Sequence, residues 1–153
     1  MVDAFVENNK LGTFSYDSKY KAEILTTTID GEKVVFCKPQ TYMNRSGDAV
    51  APLAHFYKIP AKDILVVHDE IDFVTGRLAL KIGGSPAGHN GLKSIIERLG
   101  TPDFARIRIG VDRPADNALV ADRVLSGFKL DEKKLLEVKL PEVDTLITNW
   151  LRQ

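Results

Sequence analysis

The chain has 153 residues, 44% hydrophobic and 27% charged, the proportions of an ordinary globular domain with a core of useful size. Its 21 basic and 21 acidic side chains cancel, which excludes a protein that coats nucleic acid through bulk charge. A local basic face stays open, because seven basic residues stand against three acidic ones between positions 76 and 113. No apolar run approaches the roughly 20 residues that span a bilayer, residues 1–5 lack the basic and apolar pattern of a secretory leader, so none is expected, and the single cysteine, Cys37, excludes an internal disulfide. One domain over residues 1–153, in the cytoplasm and without a membrane partner, is expected.

Residues 2–9 read as a helix. Two strand-like runs, 22–29 and 32–37, flank Asp30-Gly31, a strong signal for a hairpin turn. Residues 48–57 read as a helix that stops before Ile59-Pro60. The short apolar run 64–67 predicts a strand buried on both faces in a parallel region, and 78–82 predicts another strand. Leu92, Ile95, Ile96 and Leu99 share one face at helical spacing, with Gly100 as the C-cap. Over 105–111, Ile107, Ile109 and Val111 face one way and Arg106 and Arg108 the other, the alternation of a strand. A helical region over 132–150, interrupted near Pro141, closes the chain. This alternation of strands and helices predicts an α/β domain.

Four constellations carry chemistry. The loop from Lys38 to Gly47 follows a strand and precedes a helix, where α/β folds place ligands. Asn44 offers an amide, and Tyr42 and Met43 an apolar wall; the plainer alternative has Asn44 and Ser46 capping the next helix and Met43 filling the core. The run Val67-His68-Asp69-Glu70-Ile71-Asp72 ends a strand, where a carboxylate can orient a base or hold a metal. Its spacing is not that of an EF-hand, and a solvated acidic turn is the competing reading. His68 and Asp69 are consecutive, so a continuous strand aims them at opposite faces. The glycine-rich run Gly83 to Gly91 enters a helix start suited to anions but is not a Walker A loop, and His89 within it fits a backbone-fixing role better than that of a base. Finally, Lys81 and the pair Arg106/Arg108 bracket this loop, an arrangement that suits phosphate or an ordinary solvated strand face.

In this order the motifs resemble the bacterial-type peptidyl-tRNA hydrolase family. The matching runs are Pro39-Gln40-Thr41-Tyr42-Met43-Asn44-Arg45-Ser46-Gly47, His68-Asp69-Glu70-Ile71-Asp72, Gly84-Ser85-Pro86-Ala87-Gly88-His89-Asn90-Gly91-Leu92-Lys93-Ser94-Ile95, and Phe104-Ala105-Arg106-Ile107-Arg108-Ile109-Gly110-Val111. The resemblance implies a three-layer α/β/α sandwich on a twisted mixed sheet. It implies hydrolysis of the ester between a peptide and the 3′ ribose of tRNA, with no cofactor and no metal. Asp69 corresponds to the aspartate that orients a catalytic histidine. Asn44 and Asn90 correspond to the substrate-site asparagines, with Met43, Tyr42 and His89 beside them. Lys81 and Arg108 correspond to the residues that hold the tRNA acceptor end.

Family members open with a strand, an Asn-Pro-Gly loop and a Thr-Arg-His-Asn stretch that carries the catalytic histidine. This chain begins with Met1-Val2-Asp3-Ala4-Phe5, which resembles the inside of the first helix. The resemblance therefore sets the expectation that the family's first strand is lacking, about twenty residues in all. Weak activity, a non-catalytic RNA-binding relative or an inactive fragment are the outcomes that follow from it. A monomer is expected for the family, and marginal stability or self-association for a sheet short of a strand. A metal-dependent hydrolase built on Asp69, Glu70 and Asp72 is a more distant alternative.

Overall fold

A computed structural model describes residues 2–42, 45–111 and 130–153, with side chains from 134 onward in the last segment. Among these residues are four α-helices and six strands in an α/β arrangement: α1 (Val2–Asn8), β1 (Ser15–Asp17), β2 (Ala22–Ile29), β3 (Glu32–Pro39), α2 (Gly47–Phe56), β4 (Leu65–Glu70), β5 (Leu78–Ile82), α3 (Asn90–Leu99), β6 (Ala105–Gly110) and α4 (Leu130–Leu151). The strands pair in two three-stranded groups, β1-β2-β3 and β4-β6-β5. The chain divides into two compact units, Val2–Ile64 with Ile82–Ala105 and Leu65–Lys81 with Arg106–Gln153.

In the first unit the hairpin forms as its turn residues dictate. Asp30 (φ 51°) and Gly31 (φ 81°) both take the left-handed region that a two-residue turn with the right twist requires. Register then runs from Ile29 opposite Glu32 to Ala22 opposite Pro39. Side chains alternate between the faces. One face sets Ile24, Val35 and Cys37 against Ala49 and Leu53 of α2 and Tyr57 just beyond it. The other presents Phe36 to Phe5 of α1, with ring centroids 5.9 Å apart. The β2–β3 ladder thus carries a helix on each face, three layers within this unit. Lys38 Nζ ties the layers at the surface, reaching Asp3 at 2.5 Å and Glu23 at 2.8 Å. The three-residue β1 has too little pattern to be legible in the sequence.

In the second unit β6 is the middle strand. Backbone bonds from Ala105 N to Ile64 O (3.0 Å) and from Val111 N to Glu70 O (3.1 Å) make β4 and β6 parallel. Bonds from Gly83 N to Phe104 O (3.0 Å) and from Gly110 N to Arg77 O (2.8 Å) make β5 and β6 antiparallel. The apolar run in β4 was expected to be buried on both faces. It lies instead at the edge of the group, half-buried from Leu65 to Asp69. The most buried of the described strands is β6, where every residue but Arg108 is buried and Ile107 and Ile109 fill one face. The helix α4 is continuous through Pro141, where an interruption was expected. Proline removes one backbone donor and crowds the preceding turn; here the Thr145 hydroxyl donates to the Pro141 carbonyl at 3.0 Å, and Val143 and Ile147 are buried immediately beyond.

Candidate active site

The loop between β3 and α2 is held at its far end by one close approach. Gly47 N donates to Ser94 Oγ of α3 at 2.9 Å in the interior. A Cβ on Gly47 would come within 2.7 Å of the Ser94 carbonyl carbon and of Arg98 Cγ, so only glycine lets α2 begin this close to α3. Arg98 and Asp48 add an ion pair at 3.3 Å across the same two helices. Tyr42 stands in this loop with its side chain 83% exposed, and its carbonyl accepts from Arg45 N at 2.8 Å. Met43 and Asn44 lie outside the described residues. Ser46 precedes α2 in helical conformation with no side-chain cap bond, so the capping alternative for Ser46 is not what the structure shows.

Asn90 opens α3 and is exposed. It borders an open depression of about 310 Å³, lined with Lys93, Ser94 and Glu97 of the same helix face. The glycine-rich run before it turns through left-handed residues Ala87 (φ 49°) and Gly88 (φ 82°), closed by His89 N donating to Pro86 O at 2.9 Å. His89 is the N-cap of α3: its Nδ1 accepts from Leu92 N at 3.1 Å. Accepting at Nδ1 requires that nitrogen to be unprotonated, and through it His89 fixes the helix start that presents Asn90.

In the other unit, β4 delivers Asp69 and Glu70 at its end. Glu70 is buried, 6% exposed, and Arg108 of β6 donates to its Oε1 through Nε at 3.1 Å and through Nη2. The picture of a solvated acidic turn therefore fails at Glu70. The Arg108 guanidinium also stacks on Phe73, 4.3 Å from the ring centroid, and Arg77 does the same at 4.1 Å. Gly110 admits this crowding, since a Cβ there would sit 2.9 Å from Phe73 Cβ. His68 Nδ1 lies 2.7 Å from the main-chain oxygen of Asp69. A carbonyl only accepts, so Nδ1 carries the proton.

The β5–β6 register places Lys81 opposite Arg106 and Ala79 opposite Arg108, on one face of the pair. Lys81 is exposed, whereas Arg106 is 2% exposed. Burial, and then the neighbouring Arg108 charge, hold the Arg106 pKa below the ordinary guanidinium value. Sequence reasoning treated Arg106 and Arg108 as equivalent members of a strand face. Their alternation with isoleucine was visible, but the burial of Arg106 was not, because strand periodicity carries no information on what covers a face.

A family model described as peptidyl-tRNA hydrolase matches residues 1–153. The chain belongs to the peptidyl-tRNA hydrolase family. It is 40% identical to the peptidyl-tRNA hydrolase of Mesoplasma florum over 151 residues, covering 99% of this chain and 80% of that one. It is 41% identical to that of Desulfitobacterium hafniense over 153 residues, covering 100% and 81%. The crystal structure of peptidyl-tRNA hydrolase from Acinetobacter baumannii superposes with a TM-score of 0.89 at 35% identity, covering 98% of this chain and 78% of that one. Membership makes the chain a hydrolase with a role in translation and agrees with the α/β class. No described helix is long and apolar enough to cross a membrane.

Proposed function

We propose that the chain hydrolyses the ester joining a peptide to the 3′ ribose of tRNA, freeing the tRNA in the cytoplasm. The observation that carries this reading is the junction of Gly47 with Ser94, which ties the start of α2 to the helix that Asn90 opens. The amide chemistry of Asn44 and Asn90 suits a peptidyl ester: such groups hold the peptide backbone and donate to the carbonyl oxygen as it gains negative charge. Met43 and Tyr42 supply apolar cover for the aminoacyl side chain. His89 acts on the substrate through Asn90, by capping the helix start.

Asp69 orients the histidine that takes a proton from the attacking water. Water then adds to the carbonyl carbon, the tetrahedral oxyanion collapses, and the 3′ oxygen leaves with a proton. Of the three histidines, His55 is exposed on α2, His89 caps α3 through Nδ1, and His68 donates from Nδ1 to the Asp69 carbonyl. Lys81 and Arg108 face tRNA phosphate along the β5–β6 pair. Charge placed away from the ester anchors the substrate without entering the reaction.

The test is release of a labelled peptide from peptidyl-tRNA, by residues 1–153 and by the same chain extended with a Thr-Arg-His-Asn stretch ahead of the first helix. Asp69→Ala in the active form should cut turnover by about 10² to 10⁴ with binding retained, the usual value of a positioned base. Asn90→Ala should weaken substrate binding and turnover together. Full turnover by Asp69→Ala, or tRNA binding without cleavage in both forms, would overturn the proposal.

A further inference from the structure

The β5–β6 face carries a cation to which neither the sequence motifs nor the family resemblance gives a role. Arg77 stands on the lead-in to β5, opposite Gly110, exposed, with its guanidinium carbon 4.1 Å above the Phe73 ring centroid. Arg108 sits on the same ring at 4.3 Å. The two differ in what else they touch. Arg108 commits Nε and Nη2 to Glu70, a buried carboxylate, and its side chain is only 25% exposed. A phosphate approaching Arg108 therefore meets an ion pair whose charges largely cancel. Arg77 has no carboxylate within ion-pair distance among the described residues, and neither has Lys81.

Stacking on an aromatic ring fixes a guanidinium plane and leaves its edge N–H groups directed outward, the geometry that takes a phosphate in a fork. Phe73 thus provides Arg77 with a rigid seat at little cost in side-chain entropy on binding. Arg77 and Lys81 lie four residues apart, about 13 Å along an extended strand. They suit two different phosphates of one nucleic-acid strand.

We propose that Arg77, seated on Phe73, is a phosphate-binding residue of the tRNA site, and that with Lys81 it carries more of the electrostatic hold than Arg108. This rests on the reading of the β5–β6 face as the surface that meets tRNA. Arg108 then contributes a smaller share of that hold while also locking β6 to the end of β4 through Glu70.

The experiment is binding of deacylated tRNA to the 153-residue chain by fluorescence anisotropy, from 50 to 200 mM salt. Arg77→Gln should lower the slope of log Kd against log salt by about 1 and weaken binding about 5- to 10-fold at 100 mM salt, the effect of one lost phosphate contact. Arg77→Leu, which keeps the ring covered, should do the same, so a packing defect at Phe73 cannot imitate the result. Arg77→Lys should hold the slope. Arg108→Gln should change it less than Arg77→Gln does. If both Arg77 variants keep the parent slope while Lys81→Gln lowers it, the inference fails and the site reading stands. If Arg77→Gln, Arg77→Leu and Lys81→Gln all keep it, the site reading fails and takes the inference with it. A larger loss from Arg108→Gln than from Arg77→Gln overturns the ranking.

Discussion

Replacing Glu70 by glutamine isolates the ion pair that closes β4 onto β6. The substitution keeps the shape and one oxygen acceptor but removes the charge that receives Nε and Nη2 of Arg108. Breaking a fully buried pair costs about 3–5 kcal/mol. Here Glu70 is 8% exposed at its side chain but Arg108 is 25% exposed and keeps its stacking on Phe73, so water and the ring retain part of the guanidinium's solvation. The expected loss is therefore smaller, about 2–3 kcal/mol, near that of a hydrogen bond to a charged group. Urea unfolding read by circular dichroism measures it, and a double-mutant cycle with Arg108→Met separates the pair from the rest of each side chain. The same variant leaves a cation uncompensated beside the proposed phosphate face, so tRNA affinity should be held or raised while stability falls. A coupling energy below about 0.5 kcal/mol would place the pair among surface bridges of negligible worth and refute the reasoning.

Gly47→Ala should destabilise by about 1–3 kcal/mol, the cost of overpacking against backbone, and should lower turnover by displacing the Tyr42–Ser46 loop; thermal melts and the cleavage assay check both. His89→Ala removes the α3 cap and should cost about 0.5–2 kcal/mol, with His89→Asn restoring most of it and retained turnover in His89→Asn excluding the imidazole as base. Burial pushes the Cys37 thiol up to about 11. Its folded pKa is raised, so the folded state holds the proton longer than the unfolded chain does. Stability should fall as pH rises between about 9 and 11, by at most roughly 2–3 kcal/mol, and Cys37→Ala should flatten that alkaline limb. Alkylation of Cys37 at pH 8 should be slow until the chain unfolds.

What the sequence made legible was local. Asp30-Gly31 fixed a hairpin because two consecutive left-handed residues leave the chain few alternatives, and Gly100 (φ 79°) ended α3 as its position after Leu99 implied. The alternation of Ile107 and Ile109 with arginine marked β6. What escaped depends on neighbours distant in sequence. Burial of β4 was overestimated because an apolar run looks the same at the edge of a sheet as at its centre, and only the order β4-β6-β5 decides between them. The helix through Pro141 continues because tertiary burial of Val143 and Ile147 outweighs one missing backbone bond, a comparison that local propensity does not contain.

The site divides along the same line. Motif order singled out candidate residues, but not the bonds that hold them. Ser94 lay inside a matching run with no role of its own, yet its hydroxyl accepts from Gly47 N and ties the start of α2 to α3. His89 and Glu70 are the complementary case. Each stands in a motif suggestive of chemistry, and each has a polar atom engaged within the fold, Nδ1 of His89 with the first turn of α3 and Oε1 of Glu70 with Arg108. A chemical residue type within a family motif therefore does not by itself mark a group that meets substrate. The groups left facing outward, Asn90 on α3 and Lys81 and Arg77 on the β5 side, are where binding experiments on this chain will discriminate most sharply, because none of them holds a buried ion pair or a helix cap whose loss would disturb the fold first.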